Sequence, residues 1–228
     1  MEHRVDVLKP FGPRIFRAEL PKDVFKKLLK ITDDLIVDEN RKNHGCNLAG
    51  QIQEEVEITK KVLDKHNLYE FFNSYLKSYV KHCLTELGEY DPEKHDLYTD
   101  ITSMWFNEMQ PGGEYNPIHY HTGCHVSSVL YLKVPAKRPK RGIDCKEDRD
   151  GMIEFVDRAV LPDMLQRAST WANPKERIMY IWPSSLLHCV YPFLGDEVRR
   201  SIAWNGTYRV VNRERNTIVL GGTKLPTN

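Results

Sequence analysis

From Asp100 onward the chain consists of short β-prone runs separated by glycine, proline and asparagine. The runs are ITSMWFNEM, HVSSVLYLKV, GMIEFV, RIMYIW, HCVYPF and RSIAWNGTYRVV. Runs of this length, rich in β-branched and aromatic residues and bounded by turn formers, are typical of strands. A series of such strands predicts an antiparallel sandwich or barrel for this part of the chain.

The first third of the chain has a different pattern, in which apolar residues recur every three or four positions. One helix is predicted from Pro21, with its buried face at Val24, Phe25, Leu28, Ile31, Leu35 and Ile36. A second is predicted after Asn67, which with Glu70 has the residue types of an N-terminal cap. We expect both helices to pack on the outside of the β part. The polar stretch 39–57 between them predicts an exposed loop placed to border an active site.

The length of 228 residues favours one compact domain, because smaller pieces would bury too little surface. We predict a helical N-terminal part over residues 1–98, a β core over 99–211 and a C-terminal tail over 212–228, whose end LGGTKLPTN we expect to be poorly ordered. The connections 136–150 and 157–176 are predicted to be long polar loops, the second with a short helix.

The composition points to an ordinary water-soluble protein. A formal net charge of +1 and 29% charged residues give no electrostatic argument for nucleic acid or a membrane surface. The start MEHRVDVLKPFGPR lacks the apolar region of a secretory signal, and no run approaches the ~18 apolar residues of a membrane span. The five cysteines are scattered without a C-x-x-C pair, so we expect reduced thiols and a cytoplasmic location.

Three of the nine histidines fall within NPIHYHTGCHVSSVLYL, at positions 119, 121 and 125. Residues two apart in a strand point to the same face, so His119 and His121 can direct both imidazoles at one point. His188, at the start of the strand HCVYPF, is the expected third ligand. Neutral imidazole suits Fe, Zn, Cu and Ni. The pattern therefore favours a metal site built by these three residues.

These motifs also resemble those of a known family. The segments QPGG, H-x-H, VSSVLYL, WPSSLLHCVYP and RRSIAWN, within residues 99–209, are similar to the iron(II)/2-oxoglutarate-dependent oxygenases. The nearest likeness is a bacterial and phage group with a pattern near H-x-H-P-x-S-H-x-S-G-V-Y-Y-L. The resemblance implies a mostly β fold, the double-stranded β-helix or cupin-like jelly roll. It implies a dioxygenase that uses Fe(II) and 2-oxoglutarate to hydroxylate a small molecule or a protein side chain.

The resemblance also implies roles for particular residues. His119, His121 and His188 would bind iron, and a basic residue ten to twelve positions later would bind the distal carboxylate of 2-oxoglutarate. Arg199 and Arg200 lie eleven and twelve positions beyond His188. Strand alternation favours Arg199, because its face also carries the small and polar residues Ser201, Ala203 and Asn205, as expected of a barrel interior.

Three more positions are expected at the cofactor. Asn107, before the glycine turn, and Tyr131, in a strand, match positions that hydrogen-bond 2-oxoglutarate in several relatives. Ser201 belongs to the face that carries Arg199, so we expect it beside the cofactor.

The sequence departs from the family at position 121, where the usual ligand is Asp or Glu. A neutral imidazole there leaves the Fe(II) site one charge more positive, although a three-histidine iron site is chemically reasonable. Glu114, in the preceding turn, is a lower-ranked replacement ligand. His125 is a further metal candidate, because His119, His121 and His125 also fit the first cupin motif, with 183–188 approximating the second.

Two other classes of protein share the predicted barrel. A cupin-type metal protein would bind through His119, His121, His125 and His188, with no specific need for Arg199. A non-enzymatic jelly-roll binding or structural module would explain the barrel but not the joint occurrence of H-x-H, the distal histidine and the spaced arginine. A metallohydrolase is disfavoured, because the aspartate of H-x-H-x-D-H and an α/β pattern are both missing.

Overall fold

The computed structural model describes residues 5–8, 12–136, 148–158 and 168–221. Helices α1 (Lys22–Ile36), α2 (Lys60–Lys65) and α3 (Tyr69–Glu86) all precede the long strands. The strands are β1 (Val5–Leu8), β2 (Ile15–Glu19), β3 (Glu54–Glu57), β4 (His95–Met109), β5 (Asn116–His119), β6 (Val126–Lys133), β7 (Ile153–Val156), β8 (Ser169–Ala172), β9 (Ile178–Pro183), β10 (Leu187–Val190), β11 (Arg199–Asn212) and β12 (Thr217–Leu220).

These strands form two antiparallel sheets. The larger has the order β1-β2-β9-β6-β11-β4-β3, with β12 paired to the end of β11, and the smaller has the order β5-β10-β7-β8. One apolar cluster joins Tyr131 and Trp182 of the larger sheet to Phe155 and Val190 of the smaller, so the two sheets pack face to face. The predicted class is confirmed: a mostly β double-stranded β-helix with N-terminal helices.

The helices cover the other face of the larger sheet. Leu28 of α1 and Phe72 of α3 share an apolar cluster with Ile202 and Trp204 of β11, and all four are almost completely buried. Burying a side chain of this size stabilises a fold by about 1.5–3 kcal/mol. Because side chains alternate along a strand, the odd-numbered residues 199–205 of β11 point away from the helices, toward the smaller sheet.

One glycine allows the close approach of α3 to this sheet. A Cβ atom at Gly206 would lie 2.5 Å from a methyl carbon of Leu76, and the pairing of β11 with β4 shifts register between Asn205 and Gly206. A larger residue at 206 would push α3 outward. The glycine thus fixes the packing of the helical layer against the strand that borders the site.

The predicted strands are confirmed as β4, β6, β7, β9, β10 and β11, but the N-terminal part is not only helical. Strands β1, β2 and β3 belong to the larger sheet. They have only four or five residues each, too few for an alternation to stand out in the sequence. The stretch 39–57, expected to be a loop, ends in β3 because Val56 is buried against the helical layer.

The structure also differs from the predictions at a helix cap and in two short elements. Asn67 does not cap the second helix; it has a φ of 55°, and Leu68 occupies the capping position. Helix α2 and strand β8 were not expected, and β8 lies in the connection 157–176. Most of the expected loop 136–150, residues 159–167 of the connection in which a short helix was expected, and the tail beyond 221 lie outside the described residues. No helix in the described part of the chain is long and apolar enough to cross a membrane.

Candidate metal centre

Three histidines meet at one end of the smaller sheet. His119 ends β5 and lies directly opposite His188 of β10 in the antiparallel register, while His121 follows two residues after β5. One ligand nitrogen from each of the three lies within 4.8 Å of the other two. Among the residues that the structure describes, this is the one group of three or more potential metal ligands so arranged. The pairing of β5 with β10 therefore brings together side chains about 70 positions apart in the chain.

Backbone oxygens fix the orientation of two of the rings. The Nδ1 atom of His119 lies 2.7 Å from the carbonyl oxygen of Pro117, and that of His188 lies 2.9 Å from the carbonyl oxygen of Leu186. A carbonyl oxygen can only accept, so each Nδ1 carries the proton and donates. This tautomer leaves the Nε2 lone pair of each ring to bind a metal, the usual arrangement of metal-binding histidines.

A side chain performs the same task for the third ring. The Nδ1 atom of His121 donates to Oδ1 of Asn205 at 2.7 Å, and the same oxygen accepts a hydrogen bond from the Ser127 hydroxyl at 3.0 Å. Asn205 lies on the inward face of β11 and Ser127 on the neighbouring β6. The larger sheet thereby orients a ligand that belongs to the segment after β5.

The three rings are neutral near pH 7. Burial is the main cause that lowers the pKa of each imidazole: the pKa of His121 falls to about 4, that of His188 lies well below its ordinary value, and that of His119 is lowered as well. The neighbouring histidines lower the pKa of His188 further. Neutral imidazole is the form that binds metal, so the site favours metal over protons at physiological pH.

A cavity of about 240 Å³ adjoins the cluster between the two sheets. Its lining combines the three histidines with polar and aromatic side chains of the larger sheet. Leu48 and Ala49, which follow the short 3₁₀ helix Gly45–Asn47, contribute to it. The lining also includes Glu55, Trp105, Asn107, Asn116, Ser128, Trp182, Arg199, Ser201 and Asn205. A cavity of this size next to convergent polar groups is typical of a site for a small molecule.

Arg199 lies in the wall of this cavity and is only 2% exposed. Its Nη1 atom lies 3.6 Å from the sulfur of Met109, and its guanidinium carbon lies 4.9 Å from the centre of the Tyr131 ring. A planar guanidinium presents several donors in one plane and can hold a carboxylate through two hydrogen bonds. The buried guanidinium therefore suits a carboxylate ligand that enters the cavity.

The other predicted cofactor residues lie in one row across the larger sheet. Ser201 of β11 is paired with Asn107 of β4 on one side and with Tyr131 of β6 on the other. Asn107 and Ser201 line the cavity, and the buried Tyr131 ring packs beside Arg199. The structure thus brings the four predicted residues to the same face of the sheet.

Arg200 points to the opposite face. It is 2% exposed, forms ion pairs with Asp33 of α1 and Glu108 of β4, and donates to the Thr32 hydroxyl at 3.0 Å. Strand alternation correctly separated the two neighbouring arginines, and Arg200 packs outside the barrel, under helix α1.

Two predicted ligand candidates lie outside the histidine cluster. The Nδ1 atom of His125 accepts from the backbone N–H of Tyr208 at 3.3 Å, and its ring packs against the Tyr208 ring. The two carboxylate oxygens of Glu114 accept from the backbone N–H groups of Gln53 and Gln110, at 3.0 and 2.6 Å. Neither residue belongs to the converging group of potential ligands in the described part of the chain, so neither the cupin-type ligand set nor a relocated carboxylate ligand is assembled.

The sequence did not reveal three residues of the site. Asn205 was recognised only as part of the inward face of β11, and strand alternation is the signal that could have assigned it. Trp105 packs between the rings of His44 and His121, with centroids 5.0 and 6.1 Å away. Glu55 gave no signal, because the EEVE segment around it has the composition of a loop.

The residues present fit an iron ion with 2-oxoglutarate. Three neutral nitrogen donors in one cluster suit Fe(II). Several buried polar atoms of the cavity wall have no hydrogen-bond partner within residues 12–136 and 168–221, as expected where a polar ligand completes the site. These atoms are Oδ1 of Asn107, Oγ of Ser128 and Nε1 of Trp182.

Comparison with known proteins agrees with this assignment. Residues 103–205 match the family described as "Putative 2OG-Fe(II) oxygenase", a segment that includes His119, His121, His188 and Arg199. A search of curated protein sequences gives no significant match.

One solved structure shows a similar fold, and a second aligns slightly less well. A prolyl hydroxylase from Trichoplax adhaerens, in complex with a hypoxia inducible factor peptide fragment, aligns with a TM-score of 0.51 and 13% identity, over 93% of this chain and 84% of that one. A prolyl-4-hydroxylase from Pseudomonas putida aligns with a TM-score of 0.49 and 16% identity, over 84% of this chain and 91% of that one. The segment that carries the histidine cluster is thus similar to the 2OG-Fe(II) oxygenases, and the chain shares its fold with the Trichoplax adhaerens prolyl hydroxylase.

Proposed function

We propose that this chain is an Fe(II)- and 2-oxoglutarate-dependent oxygenase, in which His119, His121 and His188 hold the iron through their Nε2 atoms and Arg199 anchors 2-oxoglutarate. The observation that carries the proposal is the matching orientation of the three rings: each Nδ1 donates to an oxygen, so each Nε2 is left for the metal. The substrate is a small molecule or a protein side chain. When bound, Fe(II) and 2-oxoglutarate supply with O₂ the oxidising chemistry that releases succinate and CO₂ and hydroxylates a C–H bond.

The residues of the larger sheet position the cosubstrate. Arg199 offers its guanidinium to the distal carboxylate, and the adjacent Tyr131 ring holds the guanidinium in place. Asn107 and Ser201 lie in the neighbouring row and offer an amide and a hydroxyl to the same ligand. A buried arginine beside such groups binds a dicarboxylate more tightly than an exposed one, because little water competes for the donors.

The histidine cluster has no carboxylate, so the protein ligands carry no negative charge to balance the iron ion. Three neutral imidazoles leave the full charge of the ion uncompensated by the protein. The negative charge of bound 2-oxoglutarate would then help to hold the metal. We therefore expect iron and 2-oxoglutarate to bind with strong mutual cooperativity, because each favours the other electrostatically.

The experiment is an anaerobic titration of the Fe(II)-loaded protein with 2-oxoglutarate, followed by visible absorption. A weak charge-transfer band that saturates at one 2-oxoglutarate per iron is expected. After admission of air, succinate should form in proportion to the 2-oxoglutarate consumed. If fully iron-loaded protein gives neither band nor succinate, the proposal is wrong and a metal-binding jelly roll without 2-oxoglutarate chemistry remains.

A further inference from the structure

The cavity wall contains a buried carboxyl group that has no role in the proposed mechanism. Glu55 on β3 is 1% exposed and lines the cavity. Its neighbour Val56 points to the helical layer, so Glu55 faces the opposite side, toward the smaller sheet. Glu55 is paired with Asn107, which is paired in turn with Ser201. With strands about 4.8 Å apart, Glu55 lies roughly 10 Å from the strand that carries Arg199.

One oxygen of this carboxyl group lacks a hydrogen-bond donor and lies near another acceptor. None of the described residues donates a hydrogen bond to its buried Oε1 atom. A Cβ atom at Gly50 would lie 2.7 Å from Oε1 of Glu55 and 2.6 Å from Oδ1 of Asn116, so these two oxygens approach the same point. A Cβ at Gly45 would lie 2.8 Å from Oε2. The glycines bring the backbone close to the carboxyl group without filling the space around it.

The electrostatic environment makes a positively charged partner favourable. Burial, with the nearby Glu114, raises the pKa of Glu55 to about 7. A buried carboxylate without a cation is unfavourable, whereas one that meets a cation is stabilised by a charge-assisted hydrogen bond.

We infer that the substrate of this oxygenase carries a positively charged nitrogen, an ammonium or a guanidinium group, and that Glu55 and Asn116 bind it. This inference rests on the proposed function, because it places the substrate in the cavity beside the iron. Glu55 gives the charge and Asn116 an additional acceptor, while Arg199 serves the oppositely charged cosubstrate in another part of the cavity. The two charged residues separate the cationic substrate from the anionic cosubstrate.

The test uses three probes of nearly equal length: the N-acetyl methylamides of lysine, arginine and norleucine. Each is titrated by calorimetry, without oxygen, into the full chain loaded with Fe(II) and 2-oxoglutarate. We expect at least one basic probe to bind about tenfold or more tightly than the neutral norleucine probe, since hydrogen bonds to charged groups contribute that much. Equal affinities for the three, or no binding of either basic probe at millimolar concentration, would overturn the inference.

The variant Glu55→Gln removes the charge at nearly constant volume, and it should abolish the preference for the basic probe. Glu54→Gln is the matched control, because Glu54 lies on the opposite face of β3 and pairs with Arg41. It should retain the preference, and a Glu55→Gln protein that also retains it would contradict the inference. If Glu55→Gln does not fold, as judged by circular dichroism, the affinities of the unaltered protein for the basic and neutral probes test the inference alone. The 2-oxoglutarate absorption band of the unaltered protein tests the proposed function separately.

Discussion

His121 donates its Nδ1 proton to Oδ1 of Asn205, 2.7 Å away, and this bond joins the histidine cluster to β11. The same strand carries Arg199 six residues earlier, on the same face. The proposed iron site and the proposed anchor for 2-oxoglutarate are therefore fixed by a single strand in the middle of the larger sheet. That strand is paired along its length with β4 and over its first half with β6.

Loss of the Asn205 side chain should loosen iron without unfolding the protein. In Asn205→Ala, the His121 ring loses the acceptor that fixes its tautomer, and we expect the Fe(II) dissociation constant to rise about 10–100-fold. Competitive titration with a metal-responsive dye measures this. Asn212→Ala, at the far end of the same strand, is the control and should bind iron normally. If Asn205→Ala binds iron as tightly as the unaltered protein, Asn205 does not position His121.

Replacement of single histidines separates the two possible ligand sets. His119→Ala and His188→Ala should each lose iron, because each removes one of only three donors. His125→Ala should retain it, since His125 lies outside the group of three converging histidines. Iron content after gel filtration is the measurement. Loss of iron in His125→Ala would favour the cupin-type ligand set instead.

Substitution of the two adjacent arginines should affect different properties: 2-oxoglutarate binding for Arg199 and stability for Arg200. Arg199→Ala removes the proposed carboxylate anchor, so half-saturation by 2-oxoglutarate should require roughly 100-fold more ligand, in line with loss of a charged hydrogen-bonded pair. Arg199→Lys keeps the charge but not the planar pair of donors, and we expect an intermediate effect. Titration of the visible band gives both values.

Arg200→Met should instead lower the free energy of unfolding by about 2–4 kcal/mol, because it leaves Asp33 and Glu108 without their shared partner. Its half-saturation by 2-oxoglutarate should not change under conditions where the protein is folded. Urea unfolding provides the stability, and the same absorption titration provides the binding. If Arg200→Met weakened 2-oxoglutarate binding and Arg199→Ala did not, the two assignments would be reversed.

Glu55 should make the stability of the metal-free protein depend on pH. Its pKa is raised from 4.5 in an unstructured chain to about 7 in the fold, so between these values the folded state binds the proton more strongly. The stabilisation is complete below about pH 4.5 and is lost as the pH rises through 7. Glu55→Gln cannot ionise, so it should be more stable than the unaltered protein by about 1–3 kcal/mol at pH 8.5, with little difference at pH 5. Urea unfolding at the two pH values measures this, and an equal difference at both would exclude ionisation of Glu55 as its cause.

The sequence contains enough information to predict the barrel and most of the site. Long strands such as β6 and β11 have continuous β-branched and aromatic character, and strand alternation alone separates Arg199 from Arg200. The H-x-H pair and the distal histidine are recognisable because strand geometry and family spacing restrict where ligands can lie. These features depend on short-range patterns, which survive in a single sequence.

The remaining features depend on contacts between distant parts of the chain. The bond between His121 and Asn205 spans 84 positions, and no local pattern connects the two. Strand β3 forms because Val56 is buried and β4 is available for pairing, although its three glutamates disfavour a strand. Glu55 lines the cavity only because β3 pairs with β4. Tertiary contacts decided these elements where local preference pointed elsewhere.

The central claim, that three imidazoles and no carboxylate of the protein bind iron, can be measured directly by iron-edge X-ray absorption on the Fe(II)-loaded chain. The account predicts three imidazole ligands in the metal shell, reduced to two in His121→Ala. A shell with two imidazoles in the unaltered protein, unchanged by His121→Ala, would contradict it.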